Sequence, residues 1–394
     1  RSCHVILFSV PSLKINCMFG HEYADALEFR TINGLSAKII DYYSRNHGKR
    51  QPFELLDNDG ELARLVGQIY QKTNNEYATE STIKDIRTGI TYIKNMMLTK
   101  EEIDALDVGV QQMPEIYNQY CAELKHRGLM DYDDQMSYAL TILNSFPAIL
   151  EHFQEKYRYI CVDESQDTSK IQHAIIRLLA KKYGNIFMVG DEDQSIYGFR
   201  AAYPDALINF SIDYPNANVL LIEQNYRSTN EIVAAANSFV SENRFRYKKA
   251  IVPTRGNGLP IQVIDAVDRA AQYKYLFTLA RTCEIETAVL FRNNDSALPL
   301  IDMLERSGIP YNCRQFDGVF FSHRIVVDII DIINFAYDPH DAEAFMRVYY
   351  KFGSPLTKKA AIYACEQSKH TGKPILEELI KYPELSSFAK EGVI

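Results

Sequence analysis

Three observations in this sequence predict an α/β fold of parallel sheets interrupted by helical insertions. Short apolar runs at Tyr157–Val162, residues 186–189 and residues 219–222 read as buried strands. Residues 169–182, between the first two runs, place Ile171, Ile175, Leu178 and Leu179 at helical spacing on one face. Each run ends in polar and charged residues: VDESQD at 162–167, GDEDQSIYGFR at 190–200 and QNYRST at 224–229. A right-handed strand–helix–strand crossover brings both strand ends to one edge of the sheet, so Asp163 and Glu164 should lie near Gln194. In open parallel sheets that edge receives the ligand.

The other elements follow in chain order. Residues 5–8 and 28–31 read as strands and residues 33–45 as a helix. From about 50 to 130 the pattern is helical throughout, as in ELARLVGQIYQK, STIKDIRTGITYIKNMM and MPEIYNQYCAELKHRG, which predicts an all-helical insertion. Ser228-Thr-Asn-Glu231 has the form of a capping box opening the helix NEIVAAANSFVSEN. The turn-rich PTRGNGLP marks a boundary. A second α/β unit is expected after it, with strands at 261–264 and 288–291, a helix at 296–307 and another strand after Gly308-Ile-Pro310. Beyond about residue 338 the pattern is helical again. The expected division is 1–48 and 133–256 as two parts of one α/β domain and 49–132 as the insertion. Residues 257–338 would begin a second α/β domain and 339–394 a helical one.

A chain of 394 residues has room for two or three domains. Charged residues at 24% and apolar ones at 46% are ordinary for a globular protein. No apolar run approaches the roughly 18–20 residues of a membrane helix, so no membrane partner is expected. The opening VILFSVPSL lacks a small-residue cleavage site and reads as a buried strand rather than a signal peptide. Seven scattered cysteines without a CxxC pair point to reduced thiols and a cytoplasmic location. No zinc-type spacing occurs. The net charge of −8 lends no general attraction for nucleic acid, although a local groove can be basic on an acidic body.

The three polar strings offer complementary chemistry. Of the adjacent carboxylates Asp163 and Glu164, one can serve a Mg²⁺ ion while its neighbour orients or deprotonates an attacking water. Gln194 can sense a terminal phosphate. Tyr197 and Phe199 flank Gly198 beside Arg200 and can offer flat faces to unpaired bases. Tyr226 and Arg227 sit just before a helix, where Arg227 can neutralise charge on a transferred phosphoryl group. Singly, each has a plainer reading: a solvated strand end, core aromatics, a surface ion pair.

Together the strings resemble the UvrD/Rep-type superfamily 1 DNA helicases. VDESQD is similar to the family's DExQD box, and GDEDQSIYGFR to its GDxDQSIYxWR box with Phe199 in place of Trp. LIEQNYRST is similar to the LxxNYRS box. Weaker matches are ILFSVPSLK, RTINGLSAKII (Asn33 where the family has His) and AVLFRNNDSALPLIDMLERSGIPY. The resemblance runs from about residue 5 to 350. It implies RecA-like motor domains of the P-loop NTPase type, with ATP and Mg²⁺ as cofactors. Asp163 would bind the metal, Glu164 act as catalytic base, Gln194 couple nucleotide to DNA, Tyr226 stack on adenine and Arg227 contact the γ-phosphate. Tyr197, Phe199, Arg200, Thr31 and Phe8 would line the single-strand track. The implied partners are single-stranded DNA, single-strand/duplex junctions and DNA-repair proteins, with movement 3′ to 5′.

The sequence contains no phosphate-cradling GxxxxGK[ST]. His47-Gly48-Lys49-Arg50 and Thr371-Gly372-Lys373-Pro374 hold only its GK pair. The family's later motifs, with a second arginine, are likewise not found. The expectation is therefore an internal piece of a longer helicase, or a gene product that has lost both ends, with weakened ATP binding. The alternatives are a degenerate, non-hydrolysing protein that holds single-stranded DNA or scaffolds repair, and the motor part of a helicase–nuclease. Val10 and Pro11 stand where small polar residues are expected, which argues against a DNA contact there.

Overall fold

The computed structural model describes residues 4–8, 27–47, 53–313, 324–351 and 356–385. They fall into two compact units, Arg1–Ile261 and Gln262–Ile394. Among the described residues the strands are β1 (His4–Phe8), β2 (Leu27–Phe29), β3 (Glu54–Leu55), β4 (Leu129–Met130), β5 (Tyr157–Val162), β6 (Ile186–Met188), β7 (Gln224–Asn225) and β8 (Val252–Pro253).

Four of these form one parallel sheet in the order β2-β1-β5-β6. Its register sets Phe8 beside Val162, Val162 beside Met188, and Leu7 beside Phe29, so the carboxyl ends of all four strands share one edge. β5 buries Tyr157, Ile160 and Val162, as its apolar run anticipates. Helix Lys170–Ala180 crosses from β5 to β6 and buries Ile171, Ile175, Ile176 and Leu179 in the same core. Helices Ile32–Asn46, Tyr132–Ser145 and Pro147–Lys156 complete it with Leu35, Ile39, Met136, Leu143 and Phe153. The coarse α/β expectation with a parallel sheet thus holds for the first unit.

Helices Asp59–Asn74, Glu80–Met96 and Met113–Arg127 pack round a separate core that includes Leu65, Val66, Ile86, Ile90, Ile116 and Leu124. Asn58 and Thr79 cap two of them by accepting from the backbone N–H of Glu61 and Thr82. The parallel pair β3–β4 joins the chain segments on either side of this helical region.

A buried charged network ties the two cores together. The Lys94 ammonium lies 2.7 Å from both Asp131 Oδ2 and Asp134 Oδ1, and Asp131 also accepts from the Tyr120 hydroxyl at 2.9 Å. Beside it, Asp133 accepts from Thr91 and Asn95. Burial opposes the charge on Lys94, but the two carboxylates outweigh it and raise its affinity for a proton. Asp131 and Asp134 in turn cap helix Tyr132–Ser145 reciprocally.

In the second unit, helices Arg324–Tyr337, Ala342–Val348, Lys358–Thr371 and Ile375–Leu379 surround Phe335, Phe345, Ala361, Ala364, Ile375 and Leu379. A bidentate Arg347–Asp331 pair at 2.8 and 2.9 Å links two of them.

Several local expectations need correction. Residues 219–222 form no strand. The chain pairs only at β7, parallel to β8, and Leu220 and Ile222 are each 82% exposed. Residues 261–264 and 288–291 are not strands either, with Val263 84% and Leu290 92% exposed. A strand exists only where another backbone completes its ladder, and these runs meet none among the described residues. Residues 311–313 carry no strand, and those immediately after them lie outside the described residues. Helix Asn230–Val240 takes Thr229, not Ser228, as its N-cap. Glu231 accepts instead from the Gly258 N–H at 2.8 Å, so the expected capping box does not form.

Replacing Lys94 with Met would leave two carboxylates buried without a cation. We expect Lys94→Met to lower unfolding stability by about 3–5 kcal/mol, measured by urea denaturation.

Candidate active site

The candidate site grows from the carboxyl end of β5. Asp163 leaves the strand, and Glu164 adopts the left-handed conformation (φ 49°, ψ 45°) before a 3₁₀ turn at Ser165–Asp167. For a residue with a Cβ this costs about 1–2 kcal/mol, so neighbouring bonds must hold it. The strand ladder continues past β6 to do so: Val189 N–H donates to Val162 O at 2.8 Å and Ser165 N–H to Val189 O at 2.9 Å.

The next residue, Gly190, passes directly over Gln166. A Cβ there would lie 2.6 Å from Gln166 Oε1 and 3.2 Å from its backbone nitrogen, so a side chain would push the Gln166 amide out of its bonds. Gln166 is 1% exposed and uses its whole amide. Nε2 donates to Glu164 Oε2 at 2.7 Å, and Oε1 accepts from Asp191 N–H at 3.1 Å. Its carbonyl accepts from Ser195 Oγ at 3.2 Å. Asp191 Oδ2 then accepts from Gln194 Nε2 at 2.8 Å. The expected proximity of Glu164 and Gln194 is thus realised through two intervening side chains.

Two acidic groups share this edge with different electrostatics. Asp163 Oδ1 accepts from the Glu164 N–H at 3.1 Å, and no Lys, Arg or His among the described residues pairs with either carboxylate. Asp191, Glu192 and Asp193 bring carboxylate oxygens within 4.8 Å of one another, but the protein supplies its own cations there. Lys249 Nζ lies 2.5, 3.2 and 3.2 Å from the three, and Arg246 forks onto Asp193 at 2.6–3.0 Å. Burial works against the charges of Asp191 and Asp193. Lys249 with Gln194 on the first, and Arg246, Asn243 and Lys249 on the second, hold both below the ordinary carboxylate range.

Tyr197 and Phe199 stand in the following loop with ring centroids 6.0 Å apart, 38% and 59% exposed. Arg200 closes the 3₁₀ turn Gly198–Arg200, and its side chain lies outside the described residues. Thr31 follows β2 on the same edge and is exposed, but its hydroxyl is already used in accepting from Gly34 N–H at 3.1 Å to cap helix Ile32–Asn46. Phe8 ends β1 beside Val162, with its side chain outside the described residues. Residues 9–14 of the ILFSVPSLK string, and Gly48, Lys49 and Arg50 of the first GK segment, also lie outside them.

In QNYRST, Asn225 shapes the turn: its Oδ1 accepts from the N–H of Arg227 at 3.0 Å and of Ser228 at 2.8 Å. Tyr226 is 69% exposed and its hydroxyl bonds the Gln224 amide oxygen. Arg227 is exposed, and its guanidinium makes no hydrogen bond or ion pair among the described residues. Neither residue is bonded to Asp163, Glu164 or Gln194. The sequence reading passed over Gln166, Gly190, Arg246 and Lys249. The first two stand inside the quoted strings, and the basic run RFRYKK is the signal for the others.

Residues 12–215 match the UvrD/REP helicase N-terminal domain, and residues 220–381 the UvrD-like helicase C-terminal domain. The chain belongs to the UvrD/REP helicase family. An "ATP-dependent DNA helicase PcrA" from Leuconostoc citreum is 30% identical over 351 residues, 85% of this chain and 46% of that protein. "DNA helicase II" of Escherichia coli K12 is 30% identical over 329 residues, covering 81% and 45%. The Bacillus subtilis PcrA is 28% identical over 335 residues, covering 82% and 45%. The chain therefore spans a little under half the length of these helicase relatives. No helix among the described residues is long and apolar enough to cross a membrane.

Beneath the Glu164 turn, His173 bonds the Ser165 backbone while its Nε2 is buried without a partner. Burial pushes the imidazole down to about 4, against an opposing contribution from that bond. Between about pH 6.5 and 4 the unfolded chain then binds a proton that the folded one does not, so stability falls as pH drops through this window. The loss approaches about 3 kcal/mol below pH 4. The difference in unfolding free energy between wild type and His173→Phe should change by that amount from pH 7 to pH 4, in equilibrium denaturation at each pH.

Proposed function

We propose that this chain is part of an ATP-driven helicase or translocase motor acting on single-stranded DNA. The observation that carries the reading is the pair Asp163–Glu164. Its carboxylates stand at the sheet edge with no cation beside them among the described residues, and Gln166 and Asp191 link that of Glu164 to Gln194. Such a donor set fits a Mg²⁺ ion, which takes one or two carboxylates and retains waters. The acidic triad at 191–193 does not, because Lys249 and Arg246 already neutralise it.

Asp163 would hold the metal, and the Glu164 carboxylate would orient and deprotonate water. Gln194 would report the state of the nucleotide to the loop bearing Tyr197, Phe199 and Arg200. Tyr226 would stack on adenine and Arg227, paired with no acid among the described residues, would meet phosphate. Phe8 and Thr31 would flank the strand track. When bound, Mg²⁺ and ATP supply the transferable phosphoryl group and screen its charge. The sequence contains no GxxxxGK[ST] loop, so no residue here is assigned to cradle the phosphates.

The division at 48, 132, 256 and 338 into two RecA-like motor domains with helical additions belongs to the same reading. The cores at residues 32–180 and 56–124 support the first motor domain and its insertion, and the core at 335–385 the last helical part; the second motor domain rests on family likeness. Movement 3′ to 5′, action at junctions and a place in DNA repair or replication rest on family likeness. A second reading is a non-hydrolysing single-strand binder or repair scaffold, which the exposed Tyr197 and Phe199 rings would suit equally.

One pair of variants separates the two readings. In the intact protein, Glu164→Gln should reduce DNA-stimulated ATP hydrolysis by at least about 10²-fold while nucleotide binding persists. Phe199→Ala should weaken oligonucleotide binding by the worth of one stacked base, about 1–3 kcal/mol. Binding that depends on Phe199, with no hydrolysis for Glu164→Gln to reduce, would establish the scaffold reading instead.

A further inference from the structure

Lys249 occupies the centre of the acidic triad, within 3.2 Å of an oxygen of Asp191, Glu192 and Asp193, with only 11% of its side chain exposed. The segment carrying it closes over the triad at further points. Arg246 forks onto Asp193, Asn243 Nδ2 donates to Asp193 Oδ1 at 3.2 Å, and Tyr247 N–H donates to Glu192 Oε1 at 2.9 Å. The Tyr247 hydroxyl donates to Ile208 O at 2.9 Å, beyond the aromatic loop. Residues 243–249 thus bind Asp191, Glu192 and Asp193 through bonds separate from those of Gln166. Asp191 is the shared member. Its N–H meets Gln166, its Oδ1 meets Lys249 and its Oδ2 meets Gln194.

We infer that Lys249, assisted by Arg246, is a positioning residue that latches Asp191 and thereby fixes Gln194 and the Tyr197–Phe199 loop. Without the ammonium, three like charges face one another across less than 5 Å, and the loop relaxes by moving them apart. A carboxylate serves both neighbours because each oxygen accepts. An alanine at 191 keeps the N–H that meets Gln166 but has no side-chain acceptor, so it releases Lys249 and Gln194 together. The latch stands on geometry alone. Its consequence for DNA rests on the helicase reading above.

Hydrogen exchange of the free protein, followed by mass spectrometry, tests the latch. In Lys249→Gln, amides of residues 191–199 should exchange at least about 10-fold faster, with helix Lys170–Ala180 still protected, and Lys249→Arg should restore protection. Asp191→Ala removes a carboxylate and so adds no repulsion, and it should speed exchange at 194–199 with helix Lys170–Ala180 still protected. Unchanged exchange at 194–199 in Asp191→Ala would overturn the inference, even if Lys249→Gln proved unable to fold. Fluorescence anisotropy with an oligo-dT strand then separates the two ideas. No binding by wild type would sink the helicase reading and leave the latch intact. Wild-type binding matched by Asp191→Ala would sink the link from latch to DNA, and a loss of about 10-fold would support it.

Discussion

A primary amide has one head that accepts and one that donates, and Gln166 commits both inside the first unit: one to Glu164, the other to the backbone of Asp191. Both strand-end loops depend on that arrangement. The amide is buried, so neither bond can be exchanged for water without cost, and the opposed polarity of its two heads fixes its orientation. Gly190 is required because the loop must pass within contact distance of the same side chain. Glu164 can then remain in a backbone conformation that free residues with a Cβ avoid, with its carboxylate turned to a defined place. A Glu carries the same length and accepting oxygens as Gln but no donor. At position 166 it would repel Glu164 rather than hold it.

Charge distribution then decides which acids remain available. Five carboxylates lie in the two loops 163–164 and 191–193. Three of them surround Lys249 and Arg246 and are structural, because a buried cation at hydrogen-bonding distance leaves no vacancy for a metal. The remaining two, Asp163 and Glu164, pair with no Lys, Arg or His among the described residues. The resemblance already named Asp163 as metal ligand; Lys249, more than fifty residues along the chain, adds that the denser DED triplet carries its own protein cation.

What the sequence made legible follows from the range of the forces involved. The β5–helix–β6 unit was readable because its apolar residues repeat at strand and helix spacing and bury locally; Ile171, Ile175 and Leu179 fall where the period puts them. The edge that brings Asp163 and Glu164 towards Gln194 was readable because parallel crossovers have one hand, whereas Phe8 and Thr31 were named only through the resemblance. Gln166 was overlooked because its role depends on a residue in the adjacent strand loop. Lys249 was overlooked because a lysine in a basic run is ordinarily solvated. The runs at 219–222, 261–264 and 288–291 misled for a related reason. Their composition suits a buried strand, but pairing is a property of two segments, and Leu220, Val263 and Leu290 face water among the described residues.

The aromatic loop shows how the stiff and soft parts of the site are matched. From Glu164 to Gln194 every step is a hydrogen bond of 2.7–3.1 Å between groups fixed by strand ladders, a capped turn or a buried ion pair. Beyond Gln194 the chain changes character. Tyr197 and Phe199 hold much of their ring surface in water, against the tendency of such rings to seek the core. If Gln194 couples nucleotide to DNA as proposed, a chain of short hydrogen bonds that ends beside two partly exposed aromatic rings suits that role, and Asp191 is its link next to Gln194.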